Sequence, residues 1–369
     1  MTPRQPWRTW IAGATLATGL TMAPAAPLQP ADVPQQPAWV LHWDLDAFRL
    51  TTLGQHILTE LEKEEHRKKL EAFKAMFRFD PRTALHGLTL YSPTKAQEDG
   101  VLLVYADVDA AQLTALAQAA RDHQTLGHRN HTIHHWIDEK RPPRNGAPAR
   151  TYAAIYQSRV VIFGQRAERV SEALDVLDRL RPNLLLDAPL VQAIPRDAFL
   201  VGLARGGAVS DQDPQGAVFR QSRLMRLAVR ETGQQLRGQL TLETDNEEIA
   251  LQLENVVRGL MGLLALQQDK PDAQWLARAL QVERSGAIIT LGLTVPVQDV
   301  LNRIRAAAEK SNPQTVANNR SSRTKTRRRI PTRRADRQGK SPAGSAPTWG
   351  PAHGTHPNRD RRGPGHARP

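Results

Sequence analysis

The chain reads as an α+β protein built of antiparallel sheets covered by helices, and three observations carry that reading. Short strand-like runs bounded by turn residues recur, as in "RLMRLAVRE" followed by "QQLRGQLTLETD". Amphipathic stretches of helical period follow them, as in "NEEIALQLENVVRGLMGLLAL". The succession hairpin, helix, hairpin, helix then occurs twice, which points to a degenerate internal duplication. Hairpins make neighbouring strands antiparallel, and the helices lie over one face of each sheet.

The elements come in order. Arg4 and Arg8 form a positive n-region, Trp10 to Met22 a short apolar h-region, and Ala23-Pro24-Ala25 an A-x-A cleavage site, so residues 1–25 are expected to be a secretory signal peptide. A membrane span needs about 20 apolar residues, more than this diluted run supplies. Residues 26–37 are Pro- and Gln-rich and are expected to be a linker. "AWVLHWDLDAF" gives a strand, with Asp46 or Thr51 able to cap the helix after it. Leu53, Ile57, Leu61, Leu70, Phe73 and Phe77 predict one long helix ending at Pro81.

The first pass comprises "LHGLTLYS" with "DGVLLVYADVD", helical "AAQLTALAQAARD", "HTIHHWIDE" with "RTYAAIYQSRVVIFG", and helical "RAERVSEALDVLDRL". Within 196–310 the second pass repeats it, from "RLMRLAVRE" through "LQVERS" and "GAIITLGLTV" to helical "PVQDVLNRIRAAAEK". The first half spans 38–195. Pro182 to Asp197 and "RGGAVSDQDPQG" connect the two.

Charge separates body from tail. From Ser311 onward fourteen Lys and Arg face two acids, so nearly all of the net +13 lies there and the body is close to neutral. The body therefore offers no overall electrostatic case for nucleic-acid binding. The tail has almost nothing apolar to bury and is expected to be disordered. Its Arg327, Arg328, Arg329, Arg333 and Arg334 suit non-specific polyanion contact through counterion release. The same mixture of Arg, Pro, Gly, Ala and His is also what a shifted reading frame of GC-rich DNA encodes, and both readings stand. The chain has no cysteine, which excludes disulfides and Cys-ligated metal.

"DLDAFRLTTLG", the charged helix after it, "FDPRTALHGLTLY", "HTIHHWID" and "LTLETDNEEIALQL" together resemble uncharacterised, signal-peptide-bearing bacterial extracytoplasmic proteins of α+β build. The likeness runs from about residue 39 to about 308 and implies export and fold, with no assigned activity.

The histidine-rich "DHQTLGHRNHTIHHWIDE" raises the question of a metal. In a strand, His131 and His135 share a face about 13 Å apart and His134 points the other way, too far for one ion with bonds of about 2 Å. A helix would gather His131, His134 and His135. Thr132, Ile133, Trp136 and Ile137 favour the strand, so no metal or other cofactor is expected, the three histidines being the alternative ligand set. "DQDPQG", Asp211 to Gly216, starts like a calcium loop but has Gln215 and Ser222 where acids belong, and reads as a turn. "GKS" at Gly339 to Ser341 has Arg334 where a phosphate loop needs Gly. Asp44 and Asp46 suit capping better than an acid-base pair. No G-x-S-x-G or H-E-x-x-H occurs. The expectation is an exported, non-catalytic, periplasmic or extracellular protein that binds another envelope protein or polymer and has no transmembrane segment once mature. A hydrolase or metal-dependent enzyme sited near the 123–135 histidine cluster is the alternative.

Overall fold

The structure, a computed structural model, describes residues 26–311 apart from 144–145, 193, 196, 207–216 and 268–269. Its strands are β1 Trp39–Asp44, β2 Leu85–Ser92, β3 Val101–Ala106, β4 Gln124–His128, β5 His131–Ile137, β6 Arg150–Tyr156, β7 Val160–Gly164, β8 Leu200–Arg205, β9 Ser222–Thr232, β10 Gln235–Thr244, β11 Leu280–Ser285 and β12 Ile288–Pro296. Its helices are α1 Leu45–Arg49, α2 Thr52–Leu61, α3 Glu64–Phe77, α4 Pro81–Ala84, α5 Ala110–Gln118, α6 Ala167–Leu177, α7 Ala188–Gln192, α8 Ala217–Arg220, α9 Glu247–Ala265, α10 Pro271–Ala279 and α11 Val297–Ser311. The fold is α+β.

All strands join one antiparallel sheet in the order β11-β12-β10-β9-β8-β1-β2-β3-β7-β6-β5-β4. The order β2-β3-β7-β6 of the first half recurs as β9-β10-β12-β11 in the second, and β1 pairs with β8 at the seam. The described residues up to Glu309 belong to one compact unit, because the halves share this sheet. Local chemistry sets the joints. The two-residue turn between β9 and β10 has positive φ at both Gly233 and Gln234, as a tight hairpin requires. Asp44, Thr51, Asp109 and Asn246 each accept a backbone N–H at the start of a helix.

Two expected stretches fold differently. Residues 26–37 are not a linker: Leu28 and Val33 are buried in the main core, Gln35 N–H bonds Pro182 O, and Asp32 pairs with Arg179. Apolar Leu28 and Val33, spaced among prolines, are the signal that this segment buries something. The single helix over 53–77 is two, α2 and α3, broken at Lys63, which is extended. The apolar stripe explains the break, since nothing apolar lies between Leu61 and Leu70 to hold a continuous helix against the body. Arg82 closes the corner by bridging Glu62 and Asp80, and it draws the Asp80 carboxyl down to about 2.

Rows of facing residues cross the sheet from β6 to β11. One row runs Ala154, Ile162, Leu103, Thr89, His42, Val201, Ala228, Gln239, Gly292, Gln281. The next row, on the opposite face, runs Ala153, Phe163, Leu102, Leu90, Leu41, Gly202, Leu227, Leu240, Leu291, Val282. In the first half α6 covers the first of these faces, its Val170, Ala173 and Leu174 packing with Leu103 and Ile162. In the second half α9 covers the other, its Ala250, Leu253 and Val257 packing with Leu242, Ile289 and Val282. Phe48 of α1, Leu53 of α2 and Leu301 of α11 close one end of that same face. Each fully buried aliphatic side chain contributes about 1.5–3 kcal/mol through the area it removes from water.

Candidate functional site

The surface with most to bind is the uncovered sheet face of the first half. On it lie Leu41 and Trp43 of β1, Leu88 and Leu90 of β2, Leu102 and Val104 of β3, and Phe163 of β7, continued across the seam by Leu227 of β9. Leu41 is 39% and Trp43 38% exposed, and the others are half-buried. None of these eight belongs to a core cluster. On the reverse face Leu103 and Ile162 are at 0%. The sequence dictates this: β3 reads "VLLVYA" and β7 "VVIFG", apolar on both faces, a pattern that belongs to strands buried on both sides. Contiguous exposed apolar surface of this kind marks interaction sites.

Helix α9 extends the apolar surface. It lies over the same sheet face in the second half, and Leu251, Val256, Leu260 and Leu263 point outward from it. A Cβ added at Gly259 or Gly262 on the same helix would touch nothing within 4 Å.

The other face of the second half is polar. Arg226 and Arg230 of β9, Arg237, Gln239 and Thr241 of β10, Thr290 and Thr294 of β12 and Glu283 of β11 share it, with Arg230 directly opposite Arg237. A groove of about 530 Å³ runs between Pro189, Gln192 and Pro195 on one side and Arg226, Gln239 and Thr241 on the other. A hollow of about 260 Å³ lies over Arg230, Arg237, Glu283 and Thr294. Arg226 pairs with Glu243 and Arg230 with Asp197, so charges of both signs meet there.

The histidines of the 123–135 segment go to different partners. β5 is a strand, so His131 and His134 face opposite ways. His131 Nε2 meets Asp178 Oδ2 at 2.7 Å and His128 Nε2 meets Asp175 Oδ1 at 2.9 Å, both acids at the end of α6. Burial pushes the Asp175 carboxyl up, but hydrogen bonds from His128 and Arg129 outweigh it and hold it below the ordinary range. His134 Nδ1 lies 3.0 Å from His123 Nε2, and Arg150 Nε donates to His135 Nδ1 at 2.9 Å. Burial lowers the pKa of both His134 and His135. Among the described residues no three His, Asp or Glu side chains are placed to share a metal ion. Strand β4, which pairs with β5, is not among the strands expected from the sequence; "QTLGH" is too polar and too short to announce itself.

Asp44 and Asp46 part company. Asp44 is buried at 3% exposure and caps α1 through the Ala47 N–H, 2.8 Å away. Asp46 pairs with Arg49 and with His86 Nδ1, and His86 Nε2 reaches Asp107 at 3.1 Å. "DQDPQG", "GKS" and the tail arginines Arg327, Arg328, Arg329, Arg333 and Arg334 lie outside the described residues. Among the described residues no helix is long and apolar enough to cross a membrane.

No protein-family model and no curated protein matches the chain. Its structure is similar to three crystal forms of a protein designated TP0453. Form III aligns with a TM-score of 0.43 at 9% identity over 76% of this chain and 99% of that one. Form I aligns with 0.40 at 10% identity over 76% and 98%, and form IV with 0.39 at 8% over 76% and 97%.

Proposed function

We propose that this chain is an exported, non-catalytic protein that binds another protein of the envelope through the uncovered apolar face of its first half. One observation carries the reading: strands β3 and β7 are apolar on both faces while helices cover only one. A face of leucines and aromatics favours a protein partner over a sugar polymer, which would call for donors and acceptors in their place. Export rests on the order of n-region, h-region and A-x-A site in residues 1–25, and places the chain in the periplasm or outside the cell. The repeated strand order supports an origin by duplication of a hairpin-helix-hairpin-helix unit. The tail adds non-specific contact with polyanions. The enzyme alternative has less behind it, because the histidines of the cluster are divided among Asp175, Asp178, Arg150 and the His123–His134 contact.

The test is site-specific photo-crosslinking in intact cells from position 41 or 102, with position 239 on the polar face as control. The expected outcome is a discrete adduct from each of the first two positions, the one from position 102 being abolished by Leu41→Lys without lowering thermal stability. Equal labelling from position 239, or none from any position, overturns the proposal.

A further inference from the structure

Among the described residues no cation pairs with the buried Asp44 carboxylate. Among the described residues its partners are backbone N–H groups, those of Ala47 and Ala26 foremost, and neighbouring Asp46 adds like charge. Burial accordingly pushes its pKa up. A buried carboxylate without a counter-charge is costly.

Ala26 is held there from several directions. Its carbonyl accepts from His42 Nε2 at 2.9 Å, while the other ring nitrogen of His42 meets Thr89 Oγ1 at 2.9 Å. Gly87 faces Asp44 across the β1–β2 ladder, and a Cβ there would come within 3.4 Å of the Ala26 carbonyl oxygen and 3.3 Å of His42 Cε1. Two residues on, Leu28 is anchored in the core. The residue so held is the one that comes directly after the A-x-A site.

We infer that cleavage between Ala25 and Ala26 turns the Ala26 amide into an α-ammonium ion that pairs with Asp44, so that processing completes the fold. In the step, a signal peptidase adds water across the Ala25–Ala26 peptide bond. Ala25 leaves with the carboxylate, and the freed amine of Ala26 takes up a proton at neutral pH. A neutral N–H···O⁻ contact becomes a charge-assisted one in the same place. The inference rests on the proposal of export and adds to it a receptor for the new N-terminus made of Asp44, His42 and Gly87.

Two chains test it: one made to begin at Ala26, and one with a single Gly before Ala26, which moves the amine away from Asp44. Asp44→Asn keeps a capping oxygen and removes the charge. It is expected to lower the melting temperature of the chain starting at Ala26 by several degrees more than that of the Gly-extended chain; equal losses would show that Asp44 is only a cap. Independently, the amine of the chain starting at Ala26 should react with an amine-selective acylating reagent about tenfold more slowly, since a pKa raised by one unit leaves that much less free base. Equal reaction rates overturn the ion pair. Intact mass of protein recovered from the envelope separates the two ideas: a start other than Ala26 removes the processing step, while the engineered chains report on the pair itself.

Discussion

Strands β3 and β10 take equivalent paths in the two halves, and they differ in one respect that organises the molecule. β10 alternates, with Leu240 and Leu242 toward α9, Leu236 toward the cluster of Phe48, Leu53 and Leu301 on the same face, and Arg237 and Gln239 toward solvent on the other. β3 does not alternate: Leu103 faces α6, and Leu102 and Val104 face away from it, just as apolar. The half with a polar outer face is finished by its own helix. The half with two apolar faces has a helix for only one of them, and that imbalance is the reason to look for a partner there.

The largest expected effect separates the two faces of β3. Leu103→Ala should cost about 2–5 kcal/mol, as deletion of a fully buried leucine does, while Leu102→Ala should cost under about 1.5 kcal/mol because that side chain is only partly buried. Urea denaturation of the two variants measures the difference; equal losses would mean that the outer face is packed after all.

Next in size is a pH effect on the covered face. Burial lowers His42 from 6.5 to about 4, against the hydrogen bond to Ala26 that raises it. The unfolded chain therefore takes up this proton before the folded one, so stability is full above pH 6.5 and falls as pH drops toward 4, by roughly 3 kcal/mol in all. Asp44 runs the opposite way: with its folded pKa raised, it binds its proton first in the folded state and returns some stability at the acid end. Denaturation midpoints at pH 7, 5.5 and 4 for the parent and for His42→Gln check the assignment, and the variant should lose most of the drop.

A smaller effect concerns α9. Gly262→Ala should stabilise by about 0.5–1 kcal/mol, since Ala outranks Gly in helices and the added Cβ meets open space. A loss instead would place a neighbour over that helix. Smallest of all, truncation after Lys310 should leave the melting temperature unchanged while abolishing salt-sensitive retention on heparin, because the excess positive charge lies beyond that point. A truncated chain that still binds heparin would put polyanion affinity in the body.

Much of the fold is readable in the residues. Hairpins, caps and the order of elements come from alternation and from Asp and Asn ahead of apolar runs, and β5 is legible in Thr132, Ile133, Trp136 and Ile137. The uncovered face is also present in the sequence, in the unbroken apolar runs of β3 and β7, but a run of that kind fits equally a strand covered on both sides; only the placement of α6 decides. The partners of His128 and His131 depend on where the end of α6 lands, and the docking of Leu28 and Val33 depends on Pro182 and Asn183 far along the chain. Local pattern carries no information about such contacts.

The seam has a kinetic consequence. Trp39 pairs with Ala204, and His42 with Val201, so β1 stays without its second neighbour until the entire first half and its connection have been made. Closing so long a loop is slow, and the rate of folding falls as such contacts accumulate. Substitutions at the seam, such as Val201→Ala, should therefore slow refolding, whereas substitutions in the β4–β5 hairpin at the sheet edge should mainly speed unfolding. A chain that folds as it emerges N-terminus first would hold β1 open along one edge for that interval, exposing a strand able to pair with whatever chain is nearby.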